Sequence, residues 1–337
     1  RDDTRMKELK KQLKQKNIAS CYLFYGTEQY LTKFYTNFLK NTVLDTSDQT
    51  MNLDIFEGKK YSVSIILDST ETLPFLSQKR VVIIKESGLF QAGRKEDSEK
   101  MAEYIQNIPD TSCIIFVENE IDKRTKLYKS ILKHGYVVEM NTPSEKELIL
   151  WITKKCKENQ LQIENHTAVY LLRTVGGEMI QLEEEIKKLS HFLTEKTMIT
   201  TKDIDAICTK SLETKIFDLV DAVGNGRCKE ALTIYHNLIL IKESPLMVLA
   251  MVIRQFRIIL QCKILLEQGE NQNQIGQKIG IRDFVVRQCL KQAKYFKKED
   301  LQKALESCLK TDINIKTGKE NPELAVELLL LQYNNKK

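Results

Sequence analysis

A chain of 337 residues is longer than a single hydrophobic core usually serves, so two or three domains are expected. With 42% apolar and 29% charged residues, 5 Pro and 13 Gly, the composition excludes extensive disorder and suits a soluble, largely helical protein with short connections. The net charge of +6, spread over 52 basic and 46 acidic residues, permits contact with an anionic polymer without the lopsidedness of a strongly basic nucleic-acid module.

In chain order, Arg1 to Lys16 is too charged for a secretory signal, and no apolar run reaches the roughly 18 to 20 residues of a membrane span. Both point to a cytoplasmic protein without membrane contact. The apolar YLFY (22–25) then reads as a strand that runs through Gly26 into a helical pattern, the setting in which phosphate-binding loops occur. A working loop follows G-x-x-x-x-G-K-[ST], with backbone amides and a Lys for the phosphates and a hydroxyl for magnesium. Counted from Gly26, the second glycine position holds Leu31, the lysine position Thr32 and the hydroxyl position Lys33. The pattern is degenerate. Its other half, an apolar strand ending in paired carboxylates, is met only by CIIFV (113–117) running into Glu118 and Asn119, and Asn119 is no base. Arg124 could be imagined as an arginine finger, but EIDKRTK reads more simply as a solvated charge run.

The further strands of this first domain, residues 1–141, are VVIIK (81–85), CIIFV and YVVEM (136–140). With helices around Ser62 to Leu67 and Ser98 to Ile108 they predict an α/β fold with a mostly parallel sheet. ESGLFQAGRKED (86–97) reads as a surface loop. Between helix and strand stands STETLPFLSQKR (69–80). On the ordinary reading Leu73 and Phe75 of this segment fold back into the core; otherwise Leu73, Pro74, Phe75 and Leu76 form an exposed apolar wedge of the kind that marks a protein-binding site.

After NTPSEKE (141–147) the strand signal ends. Ser144 and Glu147 have capping-box spacing, and three helices follow, LILWITKKCKENQ, HTAVYLLRTVG and EMIQLEEEIKKLSHFL, making a small helical domain over 142–211. Residues 212–337 are helix upon helix, punctuated by Gly224, Gly226, Pro245, Gly269 and Gly318. Within them NQNQIGQKIGIRDFVVRQCLKQAKYFKK (271–298) has the outline of a DNA-reading helix-turn-helix with Gly280 in the turn and Arg287, Lys291 and Lys294 on the second helix. The plainer reading is a helical hairpin whose Ile275, Ile279, Phe284, Val285 and Leu290 are core. The eight cysteines are isolated, with no CxxC, and read as reduced apolar residues. His134, His166, His191 and His236 lie far apart in sequence with no ligand spacing, so neither a metal site nor a nucleophilic triad is expected.

Taken together, YLFYGTEQYL, LPFLSQKRVVII, IIFVENEIDKRTKLYK, GYVVEM, VGGEMIQLEEEIKKL, IFDLVDAVGNG, PLMVLAMVIRQFR, RDFVVRQCLKQAK and DINIKTGKENPELAVELLL resemble, in order and spacing, the delta subunit of bacterial DNA polymerase III. That resemblance implies an AAA+-like α/β domain without a working nucleotide site and with no cofactor, followed by two all-α domains, a three-helix lid and a helical collar. It implies a non-catalytic chain that binds and opens the sliding clamp (beta), beside tau/gamma and delta-prime subunits that include the ATPases, with primer-template DNA met through phosphates and not read by sequence. It also reverses the ordinary reading of the wedge, because delta subunits insert hydrophobic residues at this place, here Leu73, Pro74, Phe75 and Leu76. Pro74 departs from the pattern, standing where some relatives carry a bulkier apolar residue. Two other functions remain open on sequence: an active though degenerate ATPase using Lys33 and Glu118, and a DNA-binding regulator working through residues 275–294.

Overall fold

The computed structural model describes residues 18–194 and 197–334, together with Met6, Glu8, Leu9 and Gln12; the remainder of the charged stretch Arg1 to Lys16 lies outside the described residues. The chain divides into two compact units, Arg1–Thr142 and Pro143–Lys337.

The first unit is built on a five-stranded sheet of β1 (Cys21–Tyr25), β2 (Leu53–Glu57), β3 (Arg80–Lys85), β4 (Ser112–Glu118) and β5 (Tyr136–Glu139), in the order β2-β3-β4-β1-β5. Every neighbouring pair is parallel. Side chains alternate between the faces of a strand, so the continuous apolar runs fill two cores at once. Leu23, Tyr25, Val82, Ile84 and Phe116 pack with α3 (Val63–Glu71), α4 (Lys95–Tyr104) and α5 (Lys126–His134). Tyr22, Phe24, Val81, Ile83 and Ile115 pack on the other face with Tyr35 and Leu39 of α1 (Gln29–Val43). The short helix α2 (Gln49–Asn52) leads directly into β2.

Two sequence expectations for this unit are corrected. The strand β2, LDIFE, gave no recognisable run, because it sits at the sheet edge with Asp54 and Glu57 among its apolar residues. Residues 86–97 are not a surface loop: Leu89 and Phe90 are fully buried, Phe90 meeting Phe116 edge-on at 5.4 Å, and α4 begins at Lys95. The turn is folded inward by Arg94, whose guanidinium donates to the carbonyls of Ser87 (2.9 Å) and Tyr61 (2.8 Å) and pairs with Asp97 at 2.7 Å.

The second unit is helical. It opens with α6 (Glu145–Glu158), started by the expected capping box: the Ser144 hydroxyl accepts from the Glu147 amide, and the Glu147 carboxylate accepts from the Ser144 amide at 2.8 Å. α7 (Asn165–Val175) and α8 (Met179–Phe192) follow as expected. The expected count of three is exceeded by α9 (Thr201–Ile207), and a parallel pair of two-residue strands, β6 (Gln162–Ile163) and β7 (Met198–Ile199), stands where no strand was expected. These segments are too short to show a period. From Leu212 onward come α10 (Leu212–Gly224), α11 (Cys228–Leu240), α12 (Pro245–Glu267), α13 (Gln272–Ile279), α14 (Asp283–Gln292), α15 (Lys298–Lys316) and α16 (Pro322–Asn334). One apolar core, with Leu219, Tyr235, Leu249, Phe256, Val286 and Leu301 among its members, runs through all seven. All eight cysteines are free and six of them are buried.

Candidate functional site

The strand-to-helix turn after β1 consists of Gly26, Thr27 and Glu28. Gly26 has φ +133°, and a Cβ there would lie 2.5 Å from the Met140 carbonyl oxygen, so the close approach of the chain behind β5 requires glycine. Two amides of the turn are engaged by the protein itself: Gly26 donates to the Glu118 carbonyl (3.2 Å) and Glu28 to the Met140 carbonyl (2.9 Å). At the start of α1, where the helix favours an anion, the buried Glu28 carboxylate accepts from the Tyr30 amide at 3.2 Å. The Glu28 carboxylate thus caps the first turn of α1 from within the chain.

The residues of the degenerate pattern are only partly brought together. Parallel register sets Tyr25 opposite Glu118, which places Gly26 beside the end of β4. Thr32 is already within α1, buried, its hydroxyl donating to the Glu28 carbonyl at 3.1 Å, while Lys33 is exposed. Asn119 is exposed and its amide donates to the Glu86 carboxylate at 3.0 Å. The Glu118 carboxylate is buried and accepts from the Ser87 amide (2.9 Å) and hydroxyl (2.5 Å). Burial pushes its pKa up to about 7 against the opposing effect of the two Ser87 bonds, with Glu86 adding repulsion. Glu118 therefore closes the 86–90 turn. Arg124 pairs with Asp122, two residues before it, at 2.8 Å, the solvated charge pair that the sequence suggested.

The apolar segment after α3 is the opposite case, exposed where the ordinary expectation was burial. Leu73, Phe75 and Leu76 are 77%, 57% and 89% exposed, and Pro74 is half-buried. Its two ends are fixed. Ser112 donates its hydroxyl to the Thr70 carbonyl at 2.6 Å, securing the last turn of α3. Asp54 of β2 accepts from Ser69 of α3 and from Arg80 at the start of β3, each at 2.5 Å, and Arg80 also donates to the Met51 carbonyl at 3.0 Å. Asn52 reaches the middle of the segment through both backbone groups of Phe75. Sequence reasoning missed Asn52 and Asp54 because it missed β2. The one available signal was the polar-apolar alternation of NLDIFEG.

The helix-turn-helix outline is present as α13 and α14, with Gly280 in the left-handed conformation at the turn. Ile275, Phe284 and Val285 are buried in the helical core, Ile279 and Leu290 pack against it, and Arg287 is paired with Glu145. Lys291 and Lys294 are exposed. The segment is the helical hairpin of the plainer reading. Among the described residues no three His, Cys, Asp or Glu side chains gather as a metal-holding group, and no helix is long and apolar enough to cross a membrane.

Comparison with known proteins gives one consistent picture. Residues 22–141 match the family described as DNA polymerase III, delta subunit, and residues 213–333 match the C-terminal domain of the DNA polymerase III delta subunit. The DNA polymerase III subunit delta of Bacillus subtilis (strain 168) is 31% identical over 329 residues, 96% of this chain and 95% of the relative. A probable DNA polymerase III subunit delta of Aquifex aeolicus (strain VF5) is 25% identical over 300 residues, 86% of this chain and 84% of the relative. The solved structure of the Bacillus subtilis DNA clamp loader delta protein superposes with a TM-score of 0.73 at 29% identity, covering 98% of this chain and 99% of that one.

Proposed function

The chain belongs to the DNA polymerase III delta-subunit family, and from that premise we propose that its α/β unit binds the sliding clamp through Leu73, Pro74, Phe75 and Leu76 and so helps to open it during replication. The observation that carries this reading is the exposure of three large apolar side chains on a segment whose ends are held by hydrogen bonds. An apolar cluster left in water is disfavoured unless a partner covers it, and a Phe anchor in a partner's pocket contributes about 2 kcal/mol or more. Binding would favour the clamp conformation that is incompatible with a closed ring, a shift of populations without covalent chemistry.

In the same reading the chain is not an ATPase. The engaged amides of Gly26 and Glu28, and Glu28 itself at the start of α1, support this, and hydrolysis is left to tau/gamma partners. Residues 142–211 act as the small lid and 212–337 as the collar that joins tau/gamma and delta-prime subunits, in a cytoplasmic assembly that meets primer-template DNA through phosphates. The test is binding of the purified chain to the purified clamp by surface plasmon resonance. Leu73→Ala with Phe75→Ala should weaken binding at least 100-fold while the circular dichroism spectrum is unchanged. Retained affinity in the double variant would reject the assigned tip.

A further inference from the structure

Phe75 presents its ring to solvent, yet its backbone is the most firmly held part of the tip. Asn52, fully buried at the end of α2, accepts from the Phe75 amide at 2.6 Å and donates to the Phe75 carbonyl at 2.9 Å. The second hydrogen of the same amide nitrogen reaches the Asp48 carbonyl at 3.1 Å, which ties the side chain to its own helix. The orientation of the Asn52 amide is fixed by its partners, since only its oxygen can receive an N–H and only its nitrogen can meet two carbonyls. The next residue, Leu76, has φ +52°, a left-handed conformation that a leucine adopts at a cost and keeps only where its surroundings impose it.

We infer that Asn52 is a positioning residue that preorganises the tip for side-chain insertion into an apolar pocket of the clamp. The inference rests on the clamp-binding reading above and adds two things to it. With the Phe75 amide committed to Asn52, the backbone there has no free donor for strand addition, and the partner reads the side chains of Leu73, Phe75 and Leu76. The ordering of the tip also takes place when the chain folds, so docking does not have to meet that entropic cost. Without Asn52 the tip samples more conformations, a smaller fraction is competent to dock, and the loss falls on the association rate.

The test combines amide hydrogen exchange with binding kinetics on the purified clamp, using the full chain. In the unsubstituted chain the Phe75 amide should exchange at least 100-fold more slowly than an unbonded exposed amide. Asn52→Ala should remove that protection while amides of β3 and β4 keep theirs, and should lower the association rate about tenfold with little change in dissociation. Asn52→Asp, which keeps an acceptor for the Phe75 amide but has no donor for its carbonyl, should fall between the two. An unprotected Phe75 amide in the unsubstituted chain would overturn the inference without any variant. So would an Asn52→Ala chain that associates at the unsubstituted rate, or one whose loss of protection extends through the sheet, the mark of a merely structural role. The Leu73→Ala/Phe75→Ala chain separates the two levels: if it binds normally the clamp-binding reading itself fails, and if it does not bind while Asn52→Ala is silent, only the positioning role fails.

Discussion

Glu118 illustrates how one residue can hold a suggestive place and a different job. Its position at the end of β4, beside Gly26, is where a metal-binding carboxylate would be useful, but the group is buried and its Oε1 receives both the amide and the hydroxyl of Ser87. Burial raises its pKa from an ordinary 4.5 to about 7, so the folded chain holds a proton that the unfolded chain releases earlier. The stabilisation from this proton is complete below about pH 4.5 and is lost as the pH rises through about 7, after which it stays constant. Glu118→Gln removes the ionisation and with it this slope. Relative to the unsubstituted chain, the variant should gain up to about 3 kcal/mol between about pH 4.5 and about pH 8, because each pH unit separating the folded and unfolded titrations is worth roughly 1.4 kcal/mol. Urea denaturation at the two pH values measures this, and a constant difference between the chains would show that the carboxyl titrates at its ordinary value.

Among the elements, the turn over 86–94 is held at one end by Glu118 through Ser87 and across its span by Arg94. Arg94→Ala leaves the carbonyls of Ser87 and Tyr61 without their donor and should destabilise the α/β unit by about 2 to 3 kcal/mol, with Leu89 and Phe90 amides losing exchange protection first. Arg94→Lys should rescue little of this, because the three donors of an ammonium leave from one nitrogen and cannot span carbonyls that the guanidinium reaches with two separate nitrogens; full rescue would mean that charge alone holds the turn. This turn also marks the limit of what the sequence makes legible. β1, β3 and β4 are apparent because strands buried on both faces are continuous apolar runs, whereas β2 carries two acids at an edge and Leu89 and Phe90 look like isolated apolar residues among glycines and charges. The apolar character of Leu73 to Leu76 is equally plain in the sequence, but not whether it faces water. The segment is held by Asn52, 23 residues from Phe75, and by Asp54, 26 residues from Arg80, and hydrogen bonds over such separations leave no local pattern. Resemblance supplied the exposure that periodicity could not.

At the scale of the whole molecule, the proposed tasks rest on separate cores. The tip stands on the two cores that flank the sheet, which draw on residues up to Met140, while the core of the helices proposed as the collar begins at Ile216 and ends at Leu330. Substitutions that share no contacts act additively, and trimming exposed side chains changes stability by no more than about 0.5 kcal/mol. The two proposed activities should therefore come apart. Leu73→Ala with Phe75→Ala should unfold at the same urea concentrations as the unsubstituted chain and co-elute with tau/gamma and delta-prime subunits in gel filtration, yet the assembly it enters should fail to load the clamp onto primed DNA. Such a chain would also act as a competitor, depressing loading in proportion to its share of the subunit pool, because it occupies the collar position without presenting a working tip. If the double variant instead failed to co-elute, the apolar tip would be covered by another loader subunit, and its exposure would have to be explained by assembly and not by the clamp.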